Sequence, residues 1–119
     1  MEEYEYPTDE QLDRIKQWDT LAIGVKPLVE YVESLWWAPD WGFKLRDGYI
    51  QWDRRRAKKL ELHTGGWSGN EDIIGALRSS FFWFLYWQKS LRGGHYWFTI
   101  PLDSWEKVSE TVAPQGKDE

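Results

Sequence analysis

Leu60-Glu61-Leu62-His63-Thr64-Gly65-Gly66-Trp67-Ser68-Gly69-Asn70-Glu71 changes its hydrophobic period part-way along. Leu60 and Leu62 alternate with Glu61 and His63, the pattern of a half-buried strand ending at Thr64. Gly65-Gly66 breaks it. Ile73, Ile74, Leu77, Phe81, Phe84 and Leu85 then recur at helical intervals. Ser68-Gly69-Asn70-Glu71 has the form of a capping box, with Asn70 as an alternative cap. The pattern predicts one central core helix running to about Leu91. Gly93 would be its left-handed C-cap, with Lys89 and Arg92 at the negative end of the dipole.

Upstream, Thr8-Asp9-Glu10-Gln11 is another capping box, and Leu12, Ile15 and Trp18 follow at helical spacing. Gly24 punctuates a loop, and Pro27 suits the first turn of a second helix carrying Leu28, Val29, Val32, Leu35 and Trp36. Pro39 prevents its continuation. Phe43–Arg46 and Tyr49–Trp52 flank Asp47-Gly48 and read as a hairpin with a type I′ turn. Downstream, Tyr96, Phe98 and Ile100 alternate with His95, Trp97 and Thr99 in a strand that Pro101 ends. Asp103–Val112 reads as a short helix and residues 113–119 as a flexible tail.

The expected fold is α+β: two N-terminal helices, a small, mainly antiparallel sheet of three or four strands, and one core helix across it. At 119 residues the chain is expected to form a single domain, with its ordered core at about residues 8–112.

Composition narrows the function classes. The chain has no cysteine, so thiolate metal sites, disulfides and cysteine nucleophiles are excluded. Six acids and no base among residues 1–13 are not the pattern of a signal peptide. The longest apolar run is Phe81–Trp87, far below the roughly 20 residues of a membrane span. These features predict a cytoplasmic protein with no membrane partner. The net charge of −5 argues against general nucleic-acid binding. Residues 44–59 nevertheless hold seven bases against two acids, including Arg54, Arg55 and Arg56. That belt is either a contact patch or a solvated edge protected by its charges.

Ten tryptophans are more than a domain this small can readily bury, so some are expected at a partner surface. Trp36, Trp37 and Trp41 are the candidates. Surplus indoles would also suit a symmetric homo-oligomer. The candidate ligand-binding residues are Thr64, Gly65, Gly66, Trp67, Ser68 and Asn70, where helix-start amides can hold an anion and an indole can stack, together with Arg92. The same stretch also reads as a plain strand-to-helix turn, with Trp67 lidding the core. It is neither a Walker A motif nor a GxGxxG fingerprint, and no cofactor motif occurs elsewhere.

Catalytic arrangements are sparse. His63 and Glu71 are the residues a motif-free hydrolase would use. If the strands ending at His63 and starting at His95 were parallel, the two histidines would lie about 20 Å apart. If antiparallel, that objection disappears. No metal-ligand spacing accompanies them.

Three ordered segments, Trp36-Trp37-Ala38-Pro39-Asp40-Trp41-Gly42, Thr64–Glu71 and Arg92-Gly93-Gly94-His95-Tyr96, resemble small proteins of tailed bacteriophages and prophages. The resemblance covers roughly residues 8–102 and carries no catalytic residue. It implies an accessory protein acting in the infected bacterium by binding, not by catalysis. Counter-defence by sequestering a nucleotide-like signal is the leading expectation. Direct inhibition of a host or defence protein and a small hydrolase are the alternatives.

Overall fold

The computed structural model describes residues 6–107. Among them seven helices accompany a four-stranded, fully antiparallel sheet, so the fold is α+β. The helices are α1 (Asp9–Lys16), α2 (Thr20–Ile23), α3 (Val25–Leu35), α4 (Pro39–Gly42), α5 (Ser68–Arg78), α6 (Phe81–Tyr86) and α7 (Leu102–Glu106). The strands are β1 (Phe43–Tyr49), β2 (Arg56–His63), β3 (Trp87–Leu91) and β4 (His95–Pro101), in the order β1-β2-β4-β3.

The Thr8 capping box forms as expected: Gln11 N–H donates to Thr8 Oγ1, and the Thr8 N–H donates back to Gln11 Oε1. The N-terminal pair of helices is a correction, because α2 and α4 are additional. Asp19, not a loop, caps α2 by accepting the Ala22 N–H, and Gly24 with φ +109 turns the chain into α3.

The single long core helix is also corrected. Ser80 Oγ donates to Leu77 O at 2.6 Å, and Ser79 Oγ donates to Gly75 O at 3.5 Å. Hydroxyls that take up helix carbonyls in this way favour a helix end. The aromatic run after them makes one short helix and then, from Trp87, a strand, which suits aromatic side chains. Gly93 is therefore no C-cap. With Gly94 it forms the β3–β4 turn, at φ +95 and +86.

The Asp47-Gly48 turn is corrected as well. Both residues lie inside β1, opposite Lys58 and Ala57. Lys58 Nζ donates to the Asp47 carboxylate at 2.7 Å, a bond that, with the lysine's charge, lowers the Asp47 pKa. A Cβ on Gly48 would come 2.8 Å from the Lys59 side chain. The true turn spans 50–55. There Ile50 N–H donates to Arg55 O, Asp53 Oδ1 accepts the Arg55 N–H, and Arg54 takes φ +62. The helix expected over Asp103–Val112 is corrected: α7 starts at Leu102 and ends at Glu106, because Lys107 is already extended, and residues 108–112 and the tail lie outside the described part.

One face of the sheet presents Phe43, Leu60, Leu62, Phe98 and Ile100 to a core shared with Ile15, Leu28, Val32, Ile73, Leu77 and Phe82. Strand alternation puts Lys44, Arg46, Lys59, Glu61, His63, Lys89, His95, Trp97 and Thr99 on the opposite face. None of those nine is fully buried.

Candidate functional site

The Thr64–Glu71 segment is built as a structural joint. Thr64 N–H donates to Gly94 O at 2.9 Å, which docks the β3–β4 turn beside it. Asn70 is buried and reaches back to the end of α3: its Oδ1 accepts the Trp37 N–H at 2.8 Å, and its Nδ2 donates to Trp37 O at 3.1 Å. Asn70 is thus a clamp and not a cap. Ser68 makes no capping bond either, because α5 starts at Ser68 with Trp67 at the cap position. The Trp67 ring stacks on Trp37, centroids 5.0 Å apart, and takes the edge of Tyr6 at 5.2 Å. Gly65 lies against Trp41, and Glu71 places a carboxylate on the first turn of α5.

The candidate partner residues divide. Trp36 is buried at 3% exposure, so it is not surface, because it belongs to the core on the far side of the clamp. Trp37 and Trp41 are exposed, as are Arg54, Arg55, Arg56 and Arg92. Arg92 lies in the β3–β4 turn and not at a helix end.

Sequence reasoning missed a groove at one end of the open sheet face. It has a volume of about 530 Å³ and lies between the 50–55 turn and the α6–β3 junction. Lys59 and Thr99 are part of its lining, Trp52 and Arg55 line it from the turn, and Trp87, Gln88 and Lys89 from β3. Trp52 is 84% exposed, although it is one of the largest apolar side chains. Arg55 Nε donates to Asp53 Oδ2 at 2.8 Å. Lys59 Nζ donates to Thr99 Oγ1 at 3.0 Å and, among the described residues, has no carboxylate partner. Burial chiefly, then the charges of Arg46 and Lys89, push the Lys59 ammonium below the ordinary lysine range. The only signal for this groove in the sequence was the basic belt itself, since its second wall comes from a segment that reads as helix.

At the other end of the same face, β2 and β4 pair His63 directly with His95. The strands are antiparallel, so the wide separation of a parallel arrangement does not arise. The two Nδ1 atoms are 2.8 Å apart and the ring centroids 5.0 Å apart. The centroid separation exceeds the nitrogen separation by nearly two ring radii, so the nitrogens meet head-on. His63 Nε2 faces Glu61 Oε1 at 3.3 Å, and Arg46 is ion-paired with the other oxygen of that carboxylate. Trp41 and Trp97 lie against the His63 ring at 6.1 and 5.7 Å, and the Lys89 ammonium sits 4.7 Å above Trp97. Glu71, the acid expected to work with His63, bonds to Thr64 Oγ1 instead.

No family model, curated protein or solved structure matches the chain. Among the described residues no group of three or more histidine, cysteine or acidic side chains could hold a metal ion. No helix among them is long and apolar enough to cross a membrane.

Proposed function

We propose that this chain is a binding protein for a small nucleotide-like anion, held in the groove between the 50–55 turn and the α6–β3 junction. The observation that carries the reading is the grouping of Arg55, Lys59 and Lys89 with the exposed ring of Trp52 around one concavity. Lys59 is held there against the repulsion of its cationic neighbours. An anionic group would relieve that repulsion, and guanidinium and ammonium donors suit phosphate oxygens. The Trp52 indole supplies stacking area, worth about 1–3 kcal/mol per base in comparable sites. The chain's overall negative charge selects a small ligand over a long polyanion. In the bacteriophage setting that the resemblance implies, such a protein sequesters a nucleotide signal without turning it over.

Thermal denaturation against a panel of mono-, di- and cyclic nucleotides tests this. A ligand at about 100 times its Kd adds roughly 2.7 kcal/mol, a shift of several degrees for a chain this size. The shift is expected to vanish in Trp52→Ala and to persist in Trp67→Ala. A shift that survives Trp52→Ala places the ligand elsewhere.

Lys59→Met separates binding from folding. A lysine whose folded pKa lies below its unfolded value opposes folding in full below the folded pKa, and the penalty is relieved as pH rises from the folded toward the unfolded value. Removing the charge is expected to leave the melting temperature unchanged or higher at neutral pH while abolishing the nucleotide shift. Parallel loss of both in a melting scan refutes the assignment. A bound anion also favours the charged lysine, so affinity is expected to fall on the alkaline side, below the usual lysine range.

Inhibition of a protein partner is the second reading, favoured by the exposed aromatic ridge of α6. Phe84 is 79% exposed and stacks on Phe81 at 5.9 Å. Exposed apolar area of this kind marks contact surfaces. No nucleotide shift, together with capture of one host protein that Phe84→Ser abolishes, would favour it.

A further inference from the structure

We infer that His95 is a nucleophile for activated acyl groups, its reactive nitrogen fixed by a relay through His63 to Glu61. The inference rests on the paired histidines and not on the groove.

Two imidazole nitrogens 2.8 Å apart and head-on share one proton, because two bare lone pairs or two N–H groups would repel. Glu61 decides which ring supplies it. An ionised carboxylate only accepts, so Glu61 Oε1 at 3.3 Å draws the N–H of His63 to Nε2. When His63 is neutral its Nδ1 is then bare, and the shared proton belongs to His95 Nδ1. That leaves the lone pair of His95 on Nε2. The Arg46 ion pair holds the Glu61 carboxylate in place.

His95 Nε2 makes no hydrogen bond among the described residues. It lies against Gly93, where a Cβ would come 3.3 Å away, so the side-chain-free turn keeps its approach open. Acid, histidine and reacting group in series is the logic by which a carboxylate sets an imidazole's tautomer and stabilises the cation it becomes. Here a second imidazole stands between them. His63 and Glu61 are positioning residues, and His95 is the group that touches the substrate.

Diethyl pyrocarbonate is the probe. His95 Nε2 attacks one carbonyl, an N–C bond forms, and the anhydride C–O bond breaks to release ethyl carbonate. The Nδ1 proton of His95 crosses to His63 Nδ1. Solvent then carries it to the ethyl carbonate, which falls apart to carbon dioxide and ethanol. The chain has only two histidines, so peptide mass spectrometry assigns every adduct.

At neutral pH His95 is expected to be modified at least about tenfold faster than His63, and Glu61→Gln to remove that advantage. Nitrogen-15 NMR of the unmodified wild-type protein is expected to show a bare Nε2 on His95 and an N–H at Nε2 of His63. A proton on His95 Nε2, or equal modification rates in the wild type, would overturn the inference. The NMR assignment needs no variant, so it decides even if Glu61→Gln fails to fold.

Discussion

Asn70→Ala is expected to destabilise the fold by about 3 kcal/mol, because it empties a buried site and strips the partners from the Trp37 backbone. Asn70 is 1% exposed and holds both the N–H and the C=O of Trp37, 33 residues earlier in the chain. The clamp also sets where Trp37 lies under Trp67, so the aromatic corner loosens with it. A loss of this size lowers the melting temperature by roughly 10–15 °C. Calorimetry of the variant measures it, and a loss under about 1 kcal/mol would show that the clamp is replaceable. Asn70→Asp keeps the acceptor for Trp37 N–H but turns an anionic oxygen toward carbonyls, so it should be destabilised too and recover in part in acid.

Gly94→Ala is the second large effect, also about 3 kcal/mol. Gly94 has φ +86, where an L side chain costs roughly 1–2 kcal/mol. Its new Cβ would come 2.1 Å from Thr64 Oγ1, inside contact distance of a side chain that is only 1% exposed. Such overpacking adds about 1–3 kcal/mol. The two parts separate in a double-mutant cycle by urea denaturation. In a Thr64→Ala background the Gly94→Ala cost should fall to the backbone part alone. An unchanged cost would dismiss Thr64 as the obstruction. Since Thr64 N–H bonds to Gly94 O, the variant should also disturb the neighbouring histidine pair.

The elements that could be read from sequence are those with local causes. The α1 start is written in Thr8 and Gln11, which bond to each other. The alternation of β2 and β4 survives because one face of each strand meets the core. The breaks were harder to read. Ser79-Ser80 ends α5 through hydroxyl–carbonyl bonds that helical periodicity does not register. Asp47-Gly48 has the composition of a turn, but it stays in register because Lys58 binds the aspartate across the strand and Lys59 lies where a glycine Cβ would be.

The functional surfaces depended on those breaks. While residues 87–91 read as helix, Trp87 and Lys89 could not be set beside Lys59, and the groove had no second wall. The candidate segment at Thr64–Asn70 is unusual in composition, and its bonds tie the end of α3, the start of α5 and the β3–β4 turn together. The histidine pair needed only the direction of β4 relative to β2. That direction is a tertiary fact, carried by the antiparallel ladder between β2 and β4.

The groove's second wall is itself the outermost strand of the sheet. All five residues of β3 are exposed, it pairs on one side only, and its register slips between Trp87 and Lys89. Such strands open at far lower free energy than the strands they flank, so their amides exchange with solvent first. A ligand lodged against Trp87 and Lys89 must therefore hold this strand shut as well as bind to it, and its apparent affinity is reduced by the fraction of time the strand is open. Recognition and local folding are one equilibrium at this edge.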